Sequence, residues 1–139
     1  MEERVKRHKQ DRPSGWQTVE NSFNLETLAH QHRGATLLID CLTMWVSHLS
    51  EQLGTEEVLS RLENGLRAIR ENDIHAIIVS NEVGMGIVPV DAETRHWRDL
   101  VGWANQLASR CADNVYWMVA GIPLQVKRDG INCQLSPNP

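Results

Sequence analysis

Long apolar runs are missing from this sequence of 139 residues, and their absence excludes a helical membrane span. A helix needs about 20 consecutive apolar residues to cross a bilayer, and no stretch here reaches that length. The N-terminus is charged and has no apolar segment, so it is not a signal peptide, and the simplest expectation is a cytoplasmic protein. Cysteine is scarce: Cys41, Cys111 and Cys133 are an odd set with no C-x-x-C pair. That argues against a disulfide framework and a structural zinc site, and for reduced thiols. Excess positive charge is also absent. A net charge of −4 excludes a chain-wide nucleic-acid or membrane-surface binder, so any anion site must be local. What is present, 41% hydrophobic residues over this length, supports one domain with its own core.

Apolar and helical patterns alternate along the chain. Glu2 to about Lys9 reads as a short helix, which Pro13 stops near Gln10 because it disfavours helical geometry at Arg12. "GWQTVE" (Gly15–Glu20) is a brief strand candidate, and "NLETLAHQ" a helix. "ATLLID" (Ala35–Asp40) and "HAIIVS" (His75–Ser80) have the continuous apolar character of strands buried on both faces. "LTMWVSHLSEQL" is a helix stopped by Gly54. Thr55 is positioned to cap the next helix, whose stripe is Val58, Leu59, Leu62, Leu66 and Ile69. Asp91 is positioned to cap a long helix in which Trp97, Leu100, Val101, Ala104, Leu107, Ala108 and Cys111 keep helical spacing. "NVYWMVAG" (Asn114–Gly121) reads as the last strand, and "RDGINCQLSPNP" as a loose tail. The order implies an α/β fold with a mainly parallel sheet flanked by helices. Trp45, Trp97, Trp103 and Trp117 are expected in the core.

In open parallel sheets, ligands collect at the carboxyl ends of the strands. Three polar signatures fall there: Glu20, Asp40 and Asn81–Glu82. An acid closing an apolar strand has the form of a residue that holds Mg²⁺ beside nucleotide phosphates. Asp40 has an alternative role, as a cap for the helix beginning at Leu42. In "NEVGMGIVP", Asn81 and Glu82 are candidate contacts to a ligand or its metal. The glycines either permit close backbone approach or simply form a flexible turn.

"RHKQDRP" places His8 among Arg7, Lys9 and Arg12, with Arg4 one helical turn earlier on the same face. The bland reading is a solvated side chain. The sharper one is nucleophilic catalysis. Only a neutral imidazole can attack phosphorus, and neighbouring cations disfavour the imidazolium form. The same cations attract a triphosphate and offset the charge that builds during transfer.

These residues carry a resemblance. The segments "ERVKRHKQDRPSGWQTVE", "LLIDCLTMWVSHL" and "IIVSNEVGMGIVPVDAETRHWRDLVGWANQLASRCADNVYWMVAGIPLQVK" are similar, in order, to the bifunctional adenosylcobinamide kinase / adenosylcobinamide-phosphate guanylyltransferase family of cobalamin assembly. The resemblance implies phosphorylation of the aminopropanol hydroxyl of adenosylcobinamide by a nucleoside triphosphate, ATP or GTP. It further implies transfer of GMP from GTP to that phosphate through a guanylylated histidine, giving adenosylcobinamide-GDP. By position the histidine is His8, and the nucleotide contacts are Lys9, Gln10, Asp11, Arg12, Glu20 and Asp40, with Asp40 also a magnesium candidate. It implies a P-loop-like fold and a homotrimer that acts on small molecules, with no nucleic-acid partner.

The resemblance covers nearly all of residues 2–127; residues 1–127 are expected as one domain, with 128–139 as its tail. It departs from the family in one respect. Family members begin with a strand and a G-x-x-x-x-G-K-[ST] loop that cradles phosphates, and the 139 residues contain no such pattern. The expected explanation is an N-terminal truncation that also removes the first strands. The alternative is a short product, either an impaired remnant or a subunit that binds corrinoid or nucleotide without turnover.

Overall fold

The computed structural model describes residues 15–20 and 22–133. The basic helix expected around His8 lies outside them. Two of the apolar runs become a parallel pair: β1 (Thr36–Asp40) and β2 (His75–Val79) run in register from Thr36↔His75 to Asp40↔Val79. They alternate: Leu37, Ile39, Ala76 and Ile78 point towards the helices, while Thr36, Leu38, Asp40, His75, Ile77 and Val79 are exposed. The expectation of burial on both faces is therefore corrected. Among the described residues, helices cover one side of the pair only.

Four helices supply that cover: α1 (Leu25–Gln31), α2 (Leu42–Ser50), α3 (Thr55–Glu71) and α4 (Ala92–Cys111). Asn24 caps α1 by accepting from the Thr27 N–H at 2.9 Å, which satisfies one donor the first turn leaves open. The α3 stripe is as its spacing predicts, with Val58, Leu62, Leu66 and Ile69 buried. Its N-cap is Gly54 rather than Thr55, whose hydroxyl instead meets His96 Nε2 at 3.0 Å. Leu42, Val46, Val58, Leu62, Leu100 and Val101 are fully buried in one cluster, each worth about 1.5–3 kcal/mol of transfer free energy. Trp45 lies in this core, with its indole N–H donated to the Phe23 carbonyl at 3.1 Å. Trp97 packs against it and donates to Ser47 Oγ at 2.9 Å. Trp103 and Trp117 are exposed, contrary to their expected place in the core, and Cys111, at the end of the helical spacing, is exposed as well.

The last strand does not join the parallel pair. β3 (Val115–Val119) turns back into β4 (Ile122–Arg128), and β5 (Ile131–Asn132) follows, giving a separate antiparallel sheet in the order β3-β4-β5. The architecture is thus α/β with both parallel and antiparallel pairing, a correction to the mainly parallel sheet. Two tight turns make it: Ala120–Gly121 and Asp129–Gly130 each have positive φ at both residues, the geometry that suits the right-handed twist of a hairpin. The loose tail expected from Arg128 is likewise replaced, through Asn132, by the end of β4, a turn and β5. Residues 16–20, expected as a strand, have no regular structure. No helix among the described residues is long and apolar enough to cross a membrane.

Candidate functional site

Parallel pairing brings the carboxyl ends of β1 and β2 to one edge. Asp40 closes β1 opposite Val79, so Ser80, Asn81 and Glu82 leave the sheet beside the start of α2. The N-cap of α2 is Cys41, which makes no side-chain capping bond. Asp40, Asn81 and Glu82 are all exposed, so two of the expected carboxylates and the carboxamide share one open edge.

A short hydrogen-bond network sets the course of the chain there. The Asn81 N–H donates to Thr43 Oγ1 at 2.9 Å, and that hydroxyl lies 3.2 Å from Ser80 Oγ. Ser80 Oγ donates to Asn105 Oδ1 at 2.6 Å, and Asn105 Nδ2 donates to the Asn81 carbonyl at 3.0 Å. Thr43 is buried on α2 and Asn105 sits on α4, so side chains from two helices satisfy the first backbone groups beyond β2. Backbone groups leaving a sheet must find partners somewhere, and here they find them without water.

From Asn81 to Val90 the chain forms no regular structure. Glu82 Oε1 accepts the Gly84 N–H at 2.7 Å, and a Cβ on Gly84 would lie 2.9 Å from that oxygen. The neighbour of Gly84 is thus the flexible end of a side chain in the same loop. The loop closes where Arg95 donates through one guanidinium nitrogen to the Pro89 carbonyl at 2.9 Å and the Val90 carbonyl at 2.5 Å. Asp91 caps α4 as expected, accepting the Thr94 N–H at 2.7 Å. Hydrogen bonds from the Thr94 side chain and backbone, aided by the Arg95 charge, hold its carboxyl below the ordinary value of 3.8.

The remaining expected site residues are not gathered here by the described structure. Glu20 lies in the irregular, exposed segment near Trp16. His8, Lys9, Gln10, Asp11 and Arg12 lie outside the described residues. His30 Nδ1 is 3.3 Å from Asn72 Nδ2, and no group of three or more His, Cys, Asp or Glu among the described residues is arranged to hold a metal by itself. Asp40 and Glu82 nevertheless offer hard oxygen donors at one edge. That suits magnesium, which commonly takes one or two carboxylates and completes its shell with substrate phosphates and water. A separate depression of about 580 Å³ is lined by Gly54, Thr55, Glu56, Glu57 and Ser60, and its acids disfavour an anionic ligand.

Sequence reasoning did not single out Thr43, Ser80, Asn105 or Arg95. For Thr43, Ser80 and Asn105 the partners lie far along the chain, up to 38 positions for Thr43 and Asn81, so no local spacing marks them, whereas Arg95 bonds carbonyls only five and six positions before it. The available signal was a polar residue interrupting an apolar stripe, as Asn105 does directly after Ala104.

The structure is of the α/β class, with Asp40, Asn81 and Glu82 at the carboxyl edge of its parallel pair, where open sheets commonly gather ligands. Residues 1–126 match the family described as cobinamide kinase / cobinamide phosphate guanyltransferase, and the chain belongs to that family. It is 30% identical to the bifunctional adenosylcobalamin biosynthesis protein CobU of Escherichia coli, over 91% of this chain and 78% of that protein. It is 34% identical to CobP of Pseudomonas aeruginosa, of the same description, over 91% and 75%. To CobU of Salmonella typhimurium it is 32% identical over 91% and 78%.

Proposed function

We propose that the chain acts in cobalamin biosynthesis as a kinase and guanylyltransferase, on a P-loop-like scaffold in the cytoplasm, and that His8 is its covalent nucleophile. The observation that carries this reading is the family match, which runs across the His8 cluster, Glu20, Asp40 and the Asn81–Glu82 loop. In the kinase step, the aminopropanol hydroxyl of adenosylcobinamide attacks the γ-phosphorus of ATP or GTP; its O–P bond forms as the bond to the β–γ bridging oxygen breaks, and the nucleoside diphosphate and the hydroxyl proton leave. In the first guanylyl step, the neutral His8 ring attacks the α-phosphorus of GTP. An N–P bond forms, the bond to the bridging oxygen breaks, and pyrophosphate leaves. A phosphate oxygen of adenosylcobinamide phosphate then attacks the same phosphorus. The N–P bond breaks, free histidine returns, and adenosylcobinamide-GDP is released.

Lys9 and Arg12 neutralise the phosphate oxygens, and Gln10 and Asp11 complete the nucleotide contacts. Glu20 and Asp40 orient the nucleotide, with Asn81 and Glu82 at the neighbouring strand end. Asp40, helped by Glu82, would hold Mg²⁺, which when bound offsets phosphate charge. The working form is a homo-oligomer, a trimer by family resemblance. The exposed apolar residues of the parallel pair and of β3–β4 support association.

One sequence feature favours a second reading, a subunit that binds without turnover: no G-x-x-x-x-G-K-[ST] occurs in the 139 residues. Chromatographic assay of adenosylcobinamide phosphate with GTP and magnesium separates the two. The enzyme reading predicts adenosylcobinamide-GDP and pyrophosphate in equal amounts. Saturable GTP binding with no product would establish the binding subunit instead.

A further inference from the structure

The loop between β2 and α4 is unusual in what it shows to solvent. Ile87 is 98% exposed, Val90 97%, Met85 72% and Val88 57%. Single exposed apolar side chains are ordinary, but four within one short loop, flanked by Asn81, Glu82 and Asp91, mark a contact surface. Val83, by contrast, packs against the core, so the loop is seated at its near end and apolar at its far end.

We propose that residues 83–90, beyond the polar Asn81–Glu82 edge, form the docking platform for the corrinoid acceptor rather than for the nucleotide, with Thr43, Asn105 and Arg95 as its positioning residues. This rests on the functional reading above. Charge decides between the two substrates. Residues 83–90 contain no charged residue. A triphosphate would find no cation there, whereas the cations that suit it are concentrated between Arg4 and Arg12. A corrin macrocycle is broad, largely apolar at its rim and face, and fringed with amides. Met85, Ile87, Val88 and Val90 match the apolar part, and the Asn81 carboxamide can pair with an amide.

The positioning follows from the bonds at each end. Thr43 accepts from the Asn81 N–H and Asn105 donates to the Asn81 carbonyl, while Arg95 donates to the carbonyls of Pro89 and Val90. Asn105 and Arg95 both belong to α4, so one helix holds both ends of the platform. A loop held this way loses less conformational freedom when a rigid macrocycle settles on it, which raises affinity without adding a contact.

The test measures binding without turnover on the full chain, with adenosylcobinamide followed by its visible absorption and GTP by equilibrium dialysis. Ile87→Ser combined with Val90→Ser changes only solvent-exposed side chains. It is expected to raise the Kd for adenosylcobinamide about tenfold or more, the scale set by losing apolar contacts in a pocket, and to leave the Kd for GTP unchanged. Asn105→Ala is expected to raise the Kd for adenosylcobinamide with the Kd for GTP unchanged, and to speed amide hydrogen exchange only within 81–90. An unchanged corrinoid Kd in the double variant, or an equal loss for GTP, overturns the proposal and leaves the functional reading standing. So does a change of oligomeric state with corrinoid affinity intact, which makes the loop an interface between copies. A wild-type chain that binds no adenosylcobinamide overturns both.

Discussion

Gly65 is where α1 and α3 come closest. A Cβ placed there would lie 2.5 Å from Leu25 Cβ, an atom fixed to the backbone and unable to swing aside. Gly65→Ala must therefore push α1 off α3, and overpacking of this kind costs about 1–3 kcal/mol. Urea titration followed by circular dichroism is expected to show a lower midpoint with an unchanged slope. Asp91 permits a prediction in pH. Its carboxyl is held below 3.8 by the Thr94 hydrogen bonds and the Arg95 charge. A depressed folded pKa means that the ionised cap stabilises fully above the ordinary value and is lost as pH falls through the lowered one. Asp91→Asn keeps an acceptor and removes the titration. The difference in thermal midpoint between wild type and Asp91→Asn is expected to stay constant above 3.8 and to shift against the wild type in stronger acid.

At the scale of elements, Lys127 joins the antiparallel sheet to α4. It is 9% exposed and donates to the carbonyls of Ser109, Arg110 and Ala112 at 2.9, 3.0 and 2.7 Å. These groups lie at the helix C-terminus, where acceptors lack partners and the dipole favours a cation. Lys127→Met keeps the stem and removes the ammonium, at an expected cost of about 2–3 kcal/mol. The loss should appear in hydrogen exchange as opening of β3–β5 before the helical core. Most elements were legible beforehand because their signals are local. The stripes on α3 and α4, the Asp91 cap and the apolar runs of β1 and β2 each follow from neighbours within a turn or a strand. The antiparallel sheet was also written in the chain, in the "DG" at Asp129–Gly130. That signal is masked by the polar residues after Arg128, whose composition is that of a tail. One-sided burial of the parallel pair could not be read locally, since an apolar run is the same whether one face or two are covered.

At the scale of the whole molecule, the described structure unites some of the expected site and leaves the rest apart. Register carries Asp40, which ends β1, and Asn81–Glu82, which follow β2, to a common edge, because the two strands of the parallel pair finish together. Two of the residues that aim the loop, Thr43 and Asn105, become visible only when α2 and α4 are folded against that edge. Glu20 sits on irregular chain, and the basic cluster lies beyond the described residues. The central chemical claim therefore rests on His8, its cations and the family match. The most direct measurement is to incubate the full chain with magnesium and GTP labelled at the α-phosphorus, then locate the label by proteolysis. The expected result is label on the peptide containing His8, stable in base, released by acid and absent from His8→Ala. Equal labelling of His8→Ala, or an unlabelled chain that still converts adenosylcobinamide phosphate to adenosylcobinamide-GDP, would contradict it.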